Sequence, residues 1–403
     1  MVVLAFWLTI AFVLSFLPSG WTQNIDKNSC VQCHSDMWEE MKGSVHFAQE
    51  VTCDRCHGGD PAKTDKDQAK APETGYLGVP DKKQIAQLCG SCHADVEAMN
   101  FYGIRTDQLA RYKTSMHGKK LLGEGDEHVA VCSDCHGYHD VISVSDPNSP
   151  AYPLNIPKTC NQCHGNEKLM KPYGLPTDMF VKYQGSVHGR ALNEKKDIGV
   201  AQCASCHGSH GALPPGVKDV ASTCGKCHIN EQKYFAESPH AKITEPKEFS
   251  QCIACHSNHD IKKPGPELYE ETCLKCHGPG STAALEGKKL AQILRDAKTR
   301  LDSTEKLVRD AASDGFFVDE EKAALEETKS NVTEMIPIQH TLDIARIEKL
   351  NQEFLQKTKD IEEKISKKRH GIQNRKKALI PIWIFILAIA SALWARYKQL
   401  KKG

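Results

Sequence analysis

All 18 cysteines of this 403-residue chain stand in nine copies of one pattern, Cys-x-x-Cys-His, and none is left over. The copies begin at Cys30, Cys53, Cys89, Cys132, Cys160, Cys203, Cys224, Cys252 and Cys273. Their second cysteines are Cys33, Cys56, Cys92, Cys135, Cys163, Cys206, Cys227, Cys255 and Cys276, followed by His34, His57, His93, His136, His164, His207, His228, His256 and His277. Zinc ribbons pair one Cys-x-x-Cys with another, or with a distant histidine pair, and need no histidine directly after every second cysteine. A disulfide framework would space its cysteines irregularly. In Cys-x-x-Cys-His the two thiols form thioethers with haem vinyl groups, and the adjoining histidine reaches the iron. The pattern therefore implies nine covalently bound haem c groups. All fall within residues 30–277, fewer than 30 residues for each. No ordinary core can be built on that. Porphyrin is expected to be the apolar interior, wrapped by short helices and loops with little regular structure, and the region is expected to be unfolded without it.

The motifs are organised by a repeat. Residues 89–139 recur as 160–210, sharing 21 of 51 positions without a gap. Shared are both motifs, Tyr-Gly and Thr-Asp, Ser115-x-His117-Gly118 (Ser186-x-His188-Gly189), and His139 (His210). The repeat keeps cysteine and histidine more faithfully than apolar residues, which marks a unit built around metal groups. Residues 30–57 form a shortened unit with Gly-Gly-Asp where the others have x-x-His, and 58–83 read as a polar loop. A compressed unit covers 224–259, and Cys273 to His277 is half of another.

The second axial ligand decides between carrier and catalyst. Ten histidines lie outside the motifs. His46, His117, His188 and His240 sit in Ser-x-His between motifs, and His139, His210 and His259 follow a motif as Cys-His-x-x-His. These seven are expected as distal ligands. A histidine three residues beyond a motif histidine cannot easily pass round the porphyrin, so it should serve a neighbouring haem. His340 is the eighth candidate and His128 a ninth, although His128 aligns with Gly199 and lies outside the repeat. His370, Met37 and Met41 are alternatives for that last place, and one five-coordinate iron stays open. With histidine on both faces an iron only passes electrons.

Residues 2–17 are almost wholly apolar and no charge precedes Asp26, so 1–25 reads as a signal peptide or retained anchor. The multihaem domain is placed at 26–280. From Thr282 there is no cysteine, Pro and Gly nearly vanish, and Ala, Leu, Glu and Lys rise. Leu290, Ile293, Leu294, Ala297, Leu301 and Val308 mark one helix face, and Ile347, Leu350, Phe354, Ile361 and Ile365 another. Residues 281–375 are therefore expected to form an antiparallel helical hairpin, broken at Ser313-Asp-Gly315 and kinked at Pro337. His340, seven residues before Ile347, falls on the buried side and either caps a haem, docking the hairpin, or sits in its seam. Residues 378–394 are uncharged and edged by Trp383, Trp394 and Tyr397, so 376–403 reads as a transmembrane helix with a short cytoplasmic tail. Haem attachment then sets the haem domain on the extracytoplasmic, periplasmic side of the cell membrane. The formal charge of +1 becomes negative once haem propionates are added, so nucleic acid is not an expected partner.

With Ser-x-His-Gly followed by Cys-x-x-Cys-His-Gly-x-His, residues 30–277 resemble the multihaem c-type cytochromes of the cytochrome c3 and cytochrome c554 superfamily. The first unit, with Met37, Ser44-Val-His46 and Cys53, is similar to the start of quinol-oxidising membrane-anchored cytochromes, which carry four or five haems. The resemblance implies bis-histidine haems in stacked and perpendicular pairs and respiratory electron transfer. The leading expectation is a mainly α, membrane-tethered electron carrier between a quinol-oxidising or cytochrome b-type subunit and soluble cytochromes, with no catalytic residue. The alternative is a reductase or oxidase of small nitrogen or sulfur compounds with one open haem; no Cys-x-x-Cys-Lys variant is present to favour it.

Overall fold

The computed structural model describes residues 28–214, 216, 219–243 and 249–401. The apolar segment at 1–25, read as a signal or anchor, lies outside them. Every regular element among the described residues is helical. The chain divides into two compact units, one running to Pro215 with His259–Ile261 added, the other made of Gly216–Asn258 and Lys262–Gly403. The division falls within the motif-bearing region rather than at residue 280.

In the first unit the helices are short, and the motifs take two forms. Cys89 and Cys160 lie in the last turns of Lys82–His93 and Ile156–His164. By contrast Cys53–His57, Cys132–His136 and Cys203–His207 are isolated five-residue turns. Each ends on glycine, Gly58, Gly137 or Gly208, at φ of 65°, 86° and 81° with ψ near ±180°, a conformation essentially reserved for glycine. This is why Gly follows these motifs.

Each Ser-x-His is a helix start. Ser44, Ser115, Ser186 and Ser238 are buried N-caps whose hydroxyls accept from Phe47 N (3.1 Å), Gly118 N (2.9 Å), Gly189 N (3.0 Å) and Ala241 N (3.2 Å). The glycine of Ser-x-His-Gly has a steric reason. A Cβ on Gly118 would meet Tyr112 O at 1.8 Å, and one on Gly189 would meet Tyr183 O at 1.9 Å. Both tyrosines are buried and donate to a carbonyl just before the next motif, Tyr112 to Ala130 (2.8 Å) and Tyr183 to Ala201 (3.0 Å). The apolar residues that the two repeats share form much of what core there is: Met99 and Met170, Tyr112 and Tyr183, Leu121 and Leu192 are all buried. Only nine apolar side chains of residues 28–214 are buried, too few for so long a segment to fold on aliphatic packing alone.

The second unit is built differently. Thr282–Ser313, Asp319–Ile338 and Ile344–Leu400 are long helices, the first and third N-capped by Ser281 and Asp343. The first two pack as a hairpin, and the second arm, expected to run on to about residue 374, ends at Ile338. Where a kink was expected at Pro337, the chain turns back through Gln339–Thr341 and Leu342, which has φ 56°, and Asp343 starts a third helix. Leu290 packs with Ile338 and Ile347, Ala297 with Met335 and Phe354, and Val308 with Leu325 and Ile361. These layers make the hairpin an up-down-up bundle of three helices. The last motifs join this unit through side chains. Tyr269 Oη donates to Gln339 (2.9 Å), Arg346 pairs with Glu237 (2.9 Å) and Arg295 pairs with Glu270. That is the physical reason the boundary does not lie at 280.

The third helix continues without a break from the bundle into the apolar segment, whose best window has mean hydropathy 2.3 and no residue buried in the protein. It is the one helix among the described residues long and apolar enough to cross a membrane. Trp383, Trp394 and Tyr397 are exposed on it.

Candidate functional site

Seven motif histidines are each set opposite one other histidine. In the first unit the pairs are His46 and His93, His57 and His139, His117 and His164, His136 and His210, and His207 and His259. In the second they are His240 and His277, and His256 and His340. Ring centroids are 6.0–6.2 Å apart in all seven, while interplanar angles run from 5° to 69°. Rings in van der Waals contact change their separation as they tilt. Rings held by a common spacer on the axis through one nitrogen of each can turn about that axis at constant separation. With about 2 Å for each metal–nitrogen bond, two imidazoles on opposite sides of one metal have centroids roughly 6 Å apart. The residues therefore fit an iron porphyrin between each pair.

The pairing is interlocked. A Ser-x-His histidine faces the motif histidine that opens the next unit, as His46 faces His93 and His117 faces His164. A Cys-His-x-x-His histidine faces backward instead, His139 to His57, His210 to His136 and His259 to His207. None serves the motif it follows. Backbone hydrogen bonds support the interlock in three places. Val45 N donates to Val141 O (2.8 Å), Met116 N to Ala212 O (3.0 Å) and Val187 N to Ile261 O (2.8 Å). Each ties a Ser-x-His turn to the residue two beyond the histidine of a later Cys-His-x-x-His.

Two second-sphere contacts orient rings. His57 Nδ1 lies 2.8 Å from Gly78 O and His340 Nδ1 lies 3.0 Å from Pro337 O, so donation from Nδ1 leaves Nε2 free to ligate. Burial holds His46, His93, His117, His136, His164, His210, His240, His256 and His259 below the ordinary histidine value. It favours the neutral form, which is the ligating one.

None of the 18 cysteines is joined to another in a disulfide. The first cysteines of the two motifs in a unit are neighbours: Cys30 and Cys53, Cys89 and Cys132, Cys160 and Cys203, Cys224 and Cys252. Two attachment points of one unit thus lie side by side. Among the described residues no three His, Cys, Asp or Glu side chains converge as a metal cluster.

The remaining candidates are placed as follows. His188 holds the same position in its capped turn as His117, and His228 immediately precedes the helix Ile229–Glu237. His128, expected as the ninth axial ligand, stands in solvent with its side chain 78% exposed and Nδ1 3.4 Å from Asp126. His370 is exposed, with Nδ1 2.9 Å from Ser366 O. His34 Nε2 has Lys70 Nζ at 3.4 Å. Nothing in the spacing of motifs pointed to Lys70.

Two family models match parts of the chain. The family model described as Cytochrome c3 matches residues 45–165, and that described as Cytochrome c554 and c-prime matches 19–58 and 223–299. The C-type polyheme cytochrome OmcC of Geobacter sulfurreducens is 26% identical over 222 residues, covering 47% of this chain and 27% of that protein. The multiheme cytochrome MtrA of Shewanella baltica is 25% identical over 232 residues, covering 54% of this chain and 59% of that protein. The chain thus spans between about a quarter and three-fifths of the length of these relatives. No solved structure matches.

Proposed function

Since the chain is a multihaem c-type cytochrome, we propose that it is a nonahaem, membrane-anchored electron carrier, passing electrons between a quinol-linked membrane partner and periplasmic redox proteins. The observation that carries this reading is the constant 6.0–6.2 Å spacing of seven imidazole pairs, which leaves no coordination position for a substrate between them. When bound, haem iron supplies one-electron oxidation and reduction. The chain's own residues do the rest. The nine pairs of motif cysteines anchor the groups covalently. The nine motif histidines, with His46, His117, His139, His188, His210, His240, His259 and His340, would hold the irons. Within the first compact unit the pairing is interlocked, each repeat holding histidines that face the motifs of its neighbours.

Anchoring rests on the apolar end of Ile344–Leu400, with Lys367, Lys368, Arg369, Arg375, Lys376 and Lys377 just before it to meet anionic headgroups. An inner-membrane site with the haem domain in the periplasm follows from covalent haem attachment outside the cytoplasm.

Purification of the full chain from membranes tests the reading. Nine haems per chain, reduction by a quinol through a co-purifying subunit and reoxidation by soluble cytochromes are expected. Fewer haems, or turnover of nitrite, hydroxylamine or tetrathionate at a high-spin haem, would replace it with the reductase reading.

A further inference from the structure

We propose that the Lys70 amine is the second axial ligand of the haem held by Cys30, Cys33 and His34. The inference rests on the reading of nine haem sites and concerns the one motif whose histidine faces a lysine.

Lys70 Nζ lies 3.4 Å from His34 Nε2. A nitrogen–metal–nitrogen axis with bonds of about 2 Å would set the two atoms roughly 4 Å apart. The four-carbon stem of lysine covers the remaining few tenths of an ångström without backbone movement. Among the described residues Lys70 makes no ion pair, and its ammonium lies 5.2 Å from the centre of the Tyr76 ring. No carboxylate competes for it.

The loop at 58–83 is built to bring this side chain to the first motif. Asp60 N donates to Ala69 O (2.9 Å), Gly59 N to Thr74 O (3.1 Å) and Leu77 N to His57 O (2.8 Å), while Ser29 N, next to Cys30, donates to Pro61 O (2.9 Å). The Gly58-Gly59 pair permits the approach. A Cβ on Gly58 would stand 2.0 Å from Gly75 O, and one on Gly59 2.9 Å from Ala69 O. The first unit thus has Gly-Gly where the repeats have x-x-His, and a lysine-bearing loop packed against its first motif. Met37, in the helix Ser35–Met41 that follows His34, is the competing ligand. Among the described residues no contact of Met37 with the His34 ring marks it as a partner, whereas the Lys70 amine already lies beside Nε2. An amine ligates only when unprotonated, so binding releases one proton to solvent.

The test uses the full chain purified from membranes, read by electron paramagnetic resonance, the near-infrared charge-transfer band and carbon monoxide binding to the reduced protein. Wild type is expected to be wholly low-spin, with one amine–imidazole signature. Lys70→Ala should gain one high-spin haem and bind one carbon monoxide per chain with the haem count unchanged. Lys70→His should stay low-spin, and Lys66→Ala in the same loop should behave as wild type. A Lys70→Ala protein with unaltered spectra, or a Met37→Leu protein that alone opens the site, overturns the assignment. Absence of haem from the Cys30 to Cys33 peptide in wild type, seen by mass spectrometry, instead overturns the nine-haem reading beneath it.

Discussion

The imidazole of His340 stands 6.2 Å, centre to centre, from that of His256, at 32° to it. The two belong to different kinds of structure. His256 ends a five-residue motif turn, whereas His340 lies in the reversal between two long helices. Its Nδ1 is held by Pro337 O, so the same bend that closes the bundle aims Nε2 at the motif. The bundle thus sets one of its own imidazoles opposite a motif histidine.

His340→Ala should therefore convert one haem per chain to a high-spin, carbon monoxide-binding form while leaving helix content unchanged. Optical and magnetic spectra of the variant, with circular dichroism as control, check this. A fully low-spin variant would show that His340 is only a seam residue.

The repeat signature makes a steric prediction. Gly118→Ala and Gly189→Ala each force a methyl into a tyrosine carbonyl at under 2 Å, so each should cost about 1–3 kcal/mol or more in stability and lower the yield of mature protein. Gly123→Ala, with nothing within 4 Å of the added carbon, should be tolerated. Thermal unfolding of the three variants decides between steric and merely compositional roles for the repeat glycines.

In the bundle, Glu321 is buried with its carboxylate 2.7 Å from Lys368 Nζ, and its Oε1 has no hydrogen-bond partner. Lys368→Ala leaves that carboxylate without its cation. Because Lys368 is itself partly exposed and water screens the charge, the loss should be roughly 1–3 kcal/mol rather than the full value for a sealed pair. Glu321→Leu should be neutral or stabilising, since Lys368 keeps Phe317 O at 2.7 Å. Denaturant melts followed on the bundle would register the difference in sign.

Haem removal should separate the two units. Expressed without haem attachment, residues 28–214 should lose structure, having only nine buried apolar side chains. The bundle, with Leu290, Met335, Ile347, Phe354, Ile361 and Ile365 buried, should stay helical. Hydrogen exchange by segment measures this directly; protection across residues 28–214 in haem-free protein would refute the idea of a porphyrin-built core.

What could be read from residue order alone was whatever chemistry ties to spacing. Cysteine positions implied nine covalent groups, and the rule that a histidine three residues past a motif must look elsewhere agrees with His139 facing His57. The seven-residue step from His340 to Ile347 placed that histidine on an inward face. Tyr112 and Tyr183, with Leu121 and Leu192, were equally visible as shared positions, but their burial and their grip on the Ser-x-His-Gly turn emerge only once the chain is folded. Which imidazole meets which motif, the full turn after Pro337 and the arrival of Lys70 beside His34 belong to tertiary structure. The Cys-x-x-Cys-His pattern is local, so sequence determines it; the pairing of imidazoles joins residues far apart in the chain, and only the folded backbone brings them face to face.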